Sequence, residues 1–264
     1  MASVIAVSNQ KGGVGKTSTA INLAAALAQL GHRTLLIDLD PQGNATSGLG
    51  VARDDLELGL YHALVGEHAM ADVVVPTSVE LLFLAPSTMD MMGAEVELMQ
   101  AEARETRLRQ ALGAMDEDYS FVLLDCPPSL GFITVNALAA AESVLIPVQA
   151  EYLALEGLGQ LMRTLAEVRK ALNPRLVREG EVVTLFDRRN KLCHDVEQQL
   201  RQVFGEEVFR TVIPRNVRLA EAPSYGQSVL TYAPGSLGAR AYLDLAAELL
   251  ARRSMTVGVR KEAM

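Results

Sequence analysis

An apolar run, Val4-Ile5-Ala6-Val7, leads into Lys11-Gly12-Gly13-Val14-Gly15-Lys16-Thr17-Ser18, and a helical pattern follows from residue 19 to 30. Strand, glycine loop, Lys-Thr and helix form the context of a phosphate-binding P-loop. Gly12, Gly13 and Gly15 let backbone N–H groups close on phosphate oxygens where a Cβ would obstruct them. The helix that starts near Thr17 adds the positive end of its dipole, so the loop favours a polyanion before any side chain is counted. Lys16 is placed to reach the β- and γ-phosphates, and the Thr17 hydroxyl to ligate Mg²⁺. These residues predict a nucleoside triphosphate site.

The loop departs from the general G-x-x-x-x-G-K-[ST] pattern, because its first glycine would fall at Gln10 and a second lysine, Lys11, lies inside it. Two readings of Lys11 are open: a solvated loop charge, or a cation pointed at phosphate from this subunit or a partner. Two cations in one loop repel unless an anion lies between them, which favours the second.

Apolar, strand-like runs at residues 4–8, 34–38, 81–85, 121–125, 143–148 and 182–186, with a short piece near Val212, alternate with helical patterns. The helical stretches are 19–30, about 57–65, 106–115, 134–141, 155–172, 195–204 and 237–252. This alternation predicts an α/β fold: a single-domain, doubly wound, mainly parallel sheet with helices on both faces, as in P-loop NTPases. Ligands of such sheets bind at the carboxyl ends of the strands. No internal repeat or linker interrupts the pattern, so residues 1–252 read as one domain and 253–264 as a polar, frayed C-terminal tail.

Two of the apolar strands end in acids. Leu35-Leu36-Ile37-Asp38-Leu39-Asp40 places Asp38 and Asp40 on one side of the chain at the ligand-binding edge, and Phe121-Val122-Leu123-Leu124-Asp125 ends as a Walker-B strand does. Asp125 is the natural partner of the Mg²⁺ held by Thr17. Phosphoryl transfer to water depends mainly on positioning and charge neutralisation. Asp40 is assigned to orient or polarise the attacking water. Asp38 remains open between a place on Mg²⁺ and a supporting hydrogen bond. Pro127-Pro128 then stops the strand and begins a loop able to sense the γ-phosphate.

A chain of 264 residues that is 49% hydrophobic can bury a large core. Its net charge of −8 excludes a surface that binds polyanions as a whole, so nucleic-acid contact requires a local patch. Cys126 and Cys193, at unrelated spacing, fit neither a disulfide framework nor a thiolate metal site and suit a reducing cytoplasm. There is no signal-peptide pattern, no uninterrupted apolar run long enough to span a membrane, and no room before Val4 for an added DNA-reading domain.

Taken with Asn9 to Thr17, Asp38 to Thr46, Asp125 to Leu130, Pro147 to Tyr152, Leu155-Glu156-Gly157, Val212 to Leu219 and Glu221 to Ser224, the chain resembles the ParA/Soj branch of the ParA/MinD ATPases, with their deviant Walker-A loops. The resemblance runs from Val4 to about Leu250. It departs at Ser18, where Thr is common, and at Glu181, where an apolar strand residue is usual; that acid is expected to tilt or expose its strand.

The resemblance implies ATP and Mg²⁺ as cofactors and a slow intrinsic ATPase. It also implies that Lys11 crosses to the partner's ATP in a sandwich homodimer, that Gly12 lies at the dimer contact, and that Asp40 is the hydrolytic residue. Pro214 and Asn216 would contact the adenine. In its ATP state the dimer would bind non-specific double-stranded DNA, and a ParB-like centromere-binding protein would stimulate hydrolysis and release. Such a protein is cytoplasmic and nucleoid-associated. Residues 188–218 hold seven basic side chains against four acidic ones, and Arg189 and Arg218 match positions that the family uses for DNA. Joining two such patches by dimerisation makes the second contact intramolecular. The alternative reading is a membrane-cycling division-site ATPase of the MinD type. It requires a C-terminal amphipathic helix with bulky apolar residues, whereas Leu249 to Gly258 holds no aromatic residue.

Overall fold

The apolar runs become strands of one sheet because each is buried on both faces and alternates its side chains between two cores. The structure is a computed structural model and describes residues 2–115, 118–151 and 154–262; for residues 154–156 and 255–262 only the backbone is described. Among the described residues the sheet has eight strands: β1 (Ser3–Val7), β2 (Thr34–Asp38), β3 (Val75–Pro76), β4 (Leu82–Ala85), β5 (Phe121–Asp125), β6 (Ser143–Gln149), β7 (Val177–Phe186) and β8 (Val208–Pro214). Their order is β3-β4-β2-β5-β1-β6-β7-β8, and all neighbours are parallel except the pair β3–β4. β3 is a two-residue edge strand that carries Pro76, and proline's missing N–H is tolerated at a sheet edge.

Side-chain alternation sorts the strands between two cores. Ile5, Val7, Leu36 and Leu123 pack on one face with the helices Lys16–Gln29 and Leu237–Glu262. Ala6, Leu35, Ile37, Leu124 and Ile146 pack on the other with the helices Phe132–Ala140, Ala154–Ala171 and Lys191–Phe204. The chain leaves β1 at the centre, builds β2 and β5 on one side, and then crosses to β6 on the other. The loop after β1 therefore lies at the topological switch point, where doubly wound sheets open a crevice for ligands.

Three expectations are corrected. First, β7 begins at Val177, five residues before the apolar run at 182. The pairing steps from Val144↔Arg178 to Leu145↔Gly180, so Glu179 is an extra residue, and Gly180 takes φ +139 in this bulge. Second, the bulge shifts the side-chain alternation and turns Glu181 inward. Instead of exposing its strand, Glu181 is fully buried, with Oε1 3.3 Å from the Arg178 guanidinium. Third, the chain does not fray after Arg252. The last helix runs on to Glu262, and Arg253 donates to Ser143 Oγ at 3.0 Å and pairs with Glu179. The helix Met91–Leu98 was not expected, because it is apolar on two faces and so shows no amphipathic period.

Burial raises the Glu181 carboxyl above its ordinary range, with Arg178 opposing the shift, and Oε2 has no hydrogen-bond partner. A raised folded-state pKa favours the folded protein at low pH, and this advantage fades as pH rises through the shifted value. We expect Glu181→Gln to unfold at nearly the wild-type temperature at pH 4 and at a higher one at pH 8. Thermal unfolding at the two pH values measures this, and a constant difference would remove the buried-charge account.

Candidate nucleotide site

The P-loop is shaped by two left-handed glycines, Gly13 (φ +75) and Gly15 (φ +83), and Gly15 leads directly into the helix Lys16–Gln29. That helix has no side-chain cap, so its first N–H groups are free for an anion. Two anchors hold the loop. The Asn9 amide donates to Pro147 O on β6 at 2.7 Å, and the Thr184 hydroxyl on β7 donates to Val14 O at 2.8 Å. Lys16 folds across the loop and donates to Lys11 O at 2.9 Å. Lys11 itself forms an ion pair with Glu151 of its own chain. Tyr152, the next residue of that motif, lies outside the described residues.

Pairing of β2 with β5 sets Asp38 opposite Asp125, and pairing of β1 with β5 sets Val7 opposite Asp125, so the acids stand beside the start of the P-loop. Asp125 is fully buried and neither carboxylate oxygen has a hydrogen-bond partner. Burial pushes its pKa well up and Asp38 adds to the shift; Thr17 and Lys16 oppose it, the Thr17 hydroxyl without closing a standard hydrogen bond. Burial conversely lowers the Lys16 pKa, and Asp125 is the first group to oppose that. The orphaned carboxylate and the threonine hydroxyl are oxygen ligands suited to a hard cation that keeps some of its waters, as Mg²⁺ does, and the Lys16 ammonium beside them suits a phosphate. Among the described residues no group of three or more His, Cys, Asp or Glu is arranged to hold a metal by itself, so such a cation would need oxygens from its nucleotide.

Asp38 is bound differently. Its Oδ2 accepts from the Thr46 backbone N–H and hydroxyl, each at 2.7 Å, and Oδ1 accepts from the Asp40 N–H at 3.2 Å. Burial moves its pKa up to about 6 against those hydrogen bonds. Asp38 thereby fastens the turn that carries Asp40. Asp40 is buried, and its Oδ1 accepts from the Gln42 N–H at 3.0 Å.

On the other side of the P-loop lies a cavity of about 350 Å³ whose lining includes Gly15, Ser18, Thr184, Leu185, Arg215 and Asn216. Asn216 is part of that lining, while its Oδ1 caps the next helix by accepting from the Arg218 N–H at 2.8 Å. Pro214 ends β8 opposite Phe186, beside the lining rather than in it. Leu185 sits at φ +51, a strained left-handed conformation for a branched side chain, at the cavity wall. Arg189 and Arg218 follow the carboxyl ends of the neighbouring strands β7 and β8. Arg189 is 90% exposed and paired with Asp187; Arg218 is half exposed and paired with Glu221 at 2.7 Å. Pairs this open contribute little and yield readily to a phosphate.

The sequence model described as an AAA domain matches residues 2–178. The chromosome-partitioning ATPase Soj of Thermus thermophilus is 60% identical over 94% of this chain and 95% of its own. The sporulation initiation inhibitor protein Soj of Bacillus subtilis is 51% identical over 95% of this chain and 99% of its own. The chain belongs to the ParA/Soj family of chromosome-partitioning ATPases. The fold agrees with that of cobyrinic acid a,c-diamide synthase from Mycobacterium smegmatis with bound ADP and magnesium, at TM-score 0.85, 38% identity and 96% coverage of both chains.

For a ParA/Soj chain the site contains residues that sequence reasoning did not single out. Thr46 had a visible signal, since it closes the Asp38 run. Glu151 had one as well, since it lies in the run Pro147 to Tyr152, although nothing local pointed to Lys11; Thr184 had none, because its partner Val14 is more than a hundred residues away. Nor did Arg53, whose guanidinium donates to the carbonyls of Pro41, Gln42, Ser87 and Thr88 at 2.7–2.9 Å and so ties the Asp40 turn to the end of β4.

Removing the orphaned charge tests this geometry. Asp125→Asn should stabilise the nucleotide-free protein by about 1–3 kcal/mol, a rise of about 2–4 °C in Tm per kcal/mol, and should abolish the further rise that Mg²⁺ with nucleotide gives the wild type. Calorimetry reads both. An unchanged response to Mg²⁺ would detach Asp125 from the cation.

Proposed function

We propose that this chain is an ATP-dependent, dimerising ATPase. In its ATP state it binds double-stranded DNA without sequence preference, and it drives chromosome or plasmid segregation. The observation that carries this is the buried, unpartnered Asp125 beside Lys16 and Thr17 at a P-loop, an arrangement whose charge is balanced only when a cation and a polyphosphate are present. When bound, Mg²⁺ would neutralise charge on the transferring phosphoryl group. Lys16 would leave Lys11 O for the β- and γ-phosphates, Thr17 would ligate the ion, and Asp125 would hold it directly or through water. Asp40, held by Asp38 and Gln42, would orient the attacking water. The cavity lined by Ser18, Leu185 and Asn216 would take the adenine, with Pro214 at its margin.

Lys11 would exchange Glu151 for the partner's phosphates in the homodimer. A Cβ at Gly12 meets nothing within 4 Å in the monomer, so a side chain there would act on pairing and not on folding. Arg189 and Arg218, in the segments that follow the adjacent strands β7 and β8, would meet DNA phosphates, and a ParB-like centromere-binding protein would stimulate a slow intrinsic turnover. Among the described residues no helix is long and apolar enough to cross a membrane; we place the protein in the cytoplasm, on the nucleoid. The likeness to an amide synthase favours a ligase as a second reading, at a lower identity than the partitioning relatives show.

The deciding experiment is retention on DNA with Mg²⁺ and ATP, with ADP, and without nucleotide. We expect retention only with ATP, and more with Asp40→Ala, which should bind ATP, hydrolyse it at least tenfold more slowly and remain dimeric. Retention in no state would end the DNA reading, and vesicles and glutamine-dependent turnover would then test the membrane and ligase readings. Arg189→Ala with Arg218→Ala should weaken DNA binding and make log K fall less steeply with log salt, by about one unit of slope per lost phosphate contact. An unaltered slope, with the dimer intact, would return both arginines to the role of solvated charges.

A further inference from the structure

The Thr184 hydroxyl joins two parts of the nucleotide site that lie 170 residues apart in the chain: it donates to Val14 O, in the middle of the P-loop, at 2.8 Å. Thr184 stands near the end of β7 and is only 2% exposed. Alternation puts its side chain with Val182 on the face of the sheet that carries the helix Lys16–Gln29. Its backbone has little freedom. It pairs with Gln149 of β6, and its carbonyl accepts the Ala150 N–H at 3.4 Å. Around it β7 advances three residues, Val183 to Phe186, while β8 advances two, Val212 to Pro214, and Leu185 in this irregularity is strained at φ +51. A strained residue persists only where its surroundings over-determine the backbone. A β-branched side chain on such a frame is a stiff peg.

What the peg holds is one peptide plane. In a trans peptide the carbonyl of Val14 and the N–H of Gly15 point in opposite directions. With the carbonyl bound to Thr184, the Gly15 N–H is turned away from β7. Among the described residues no protein acceptor takes this N–H, and it adjoins the uncapped N-terminus of the helix Lys16–Gln29. Glycine makes the opposite orientation available as well: turning the plane over would carry Gly15 from φ +83 to the negative side, where glycine is equally at ease. The turned plane would present a carbonyl oxygen, and not an N–H, to an anion. The glycine loop therefore leaves the polarity of this peptide open, and Thr184 selects it.

We propose that Thr184 is a positioning residue for the polyphosphate: its hydroxyl fixes the Val14–Gly15 peptide so that the Gly15 N–H faces the phosphates. This rests on the nucleotide reading above and adds to it a residue outside the P-loop that sets how tightly the loop binds. An N–H donor already aimed at its anion need not be turned on binding, and a hydrogen bond to a charged group is among the strong ones. Thr184 also lines the cavity proposed for the adenine, so contact with the base is the competing role. A ligand with phosphates and no base separates the two.

The test is calorimetric titration of the full chain with ATP and with inorganic tripolyphosphate, each with Mg²⁺, for the wild type, Thr184→Val and Thr184→Ser. Valine keeps the shape and loses the hydroxyl; serine keeps the hydroxyl. We expect Thr184→Val to bind both ligands at least about tenfold more weakly, and Thr184→Ser to stay within about threefold of the wild type. In turnover the loss should fall on KM and leave kcat nearly unchanged, because the N–H meets phosphate in the ground and transition states alike. Should Thr184→Val fail to fold, Thr184→Ser against Thr184→Ala makes the same comparison. Full affinity in the valine variant would overturn the proposal. So would equal losses in the valine and serine variants, which would point to packing. A loss for ATP alone would move Thr184 to the base and overturn it too. A wild type that binds neither ligand would defeat the nucleotide reading and this role with it, an outcome distinct from the others, in all of which the wild type binds.

Discussion

Three carboxylates meet a lysine at the buried carboxyl edge of a parallel sheet, and most of the site's architecture answers to that concentration of charge. Asp125 is the extreme member, enclosed by protein and bonded to none of it. Burying an ionised carboxylate without partners is costly enough that such a group either takes a proton or awaits a cation. The register that aligns Asp38 with Asp125 cannot slip to relieve the strain, because a one-residue shift would turn Leu35, Ile37, Val122 and Leu124 toward the wrong core. The apolar order of the sheet thus holds the charges in place, and a ligand that neutralises them would be tied to the stability of the whole fold.

Around this point the loops are held more by long-range bonds than by their own turns. Asn9 and Thr184 pin the P-loop to β6 and β7. Thr46 and Asp38 pin the Asp40 turn, and Arg53 gathers four carbonyls from two loops into one fork-shaped clasp. Gly43 belongs to the same arrangement: it adopts φ +66, and a Cβ there would lie 2.5 Å from the Arg53 side chain. Loops tied in this way hold the reactive groups on a rigid frame.

Much of this was legible from local pattern. The P-loop and the two acid-terminated strands were readable because an apolar run, a glycine cluster and a charged residue at a strand end each carry a conformational meaning that needs no distant partner. The start of β7 was not readable, since Arg178, Glu179, Gly180 and Glu181 break the apolar alternation and only the bulge against β6 explains them. The helix Met91–Leu98 was hidden by having apolar residues on two faces, so that no single period stood out. The bonds of Asp38 to Thr46 and to the Asp40 N–H were not readable either, since they exist only once the turn has folded back on the strand end.

The amino-acid sequence by itself determined the class of fold, the phosphate loop and the acids that face it, because strand and helix periods and glycine's freedom are properties of neighbouring residues. Only the tertiary structure decided that Asp125 is orphaned, that Glu181 is buried against Arg178, that Arg53 clasps the Asp40 turn, and that the Thr184 hydroxyl meets the Val14 carbonyl. Each of these depends on which groups meet after the chain has folded and on how much water remains between them. Burial and pairing are settled by contacts between residues far apart in the chain, and no local pattern encodes them.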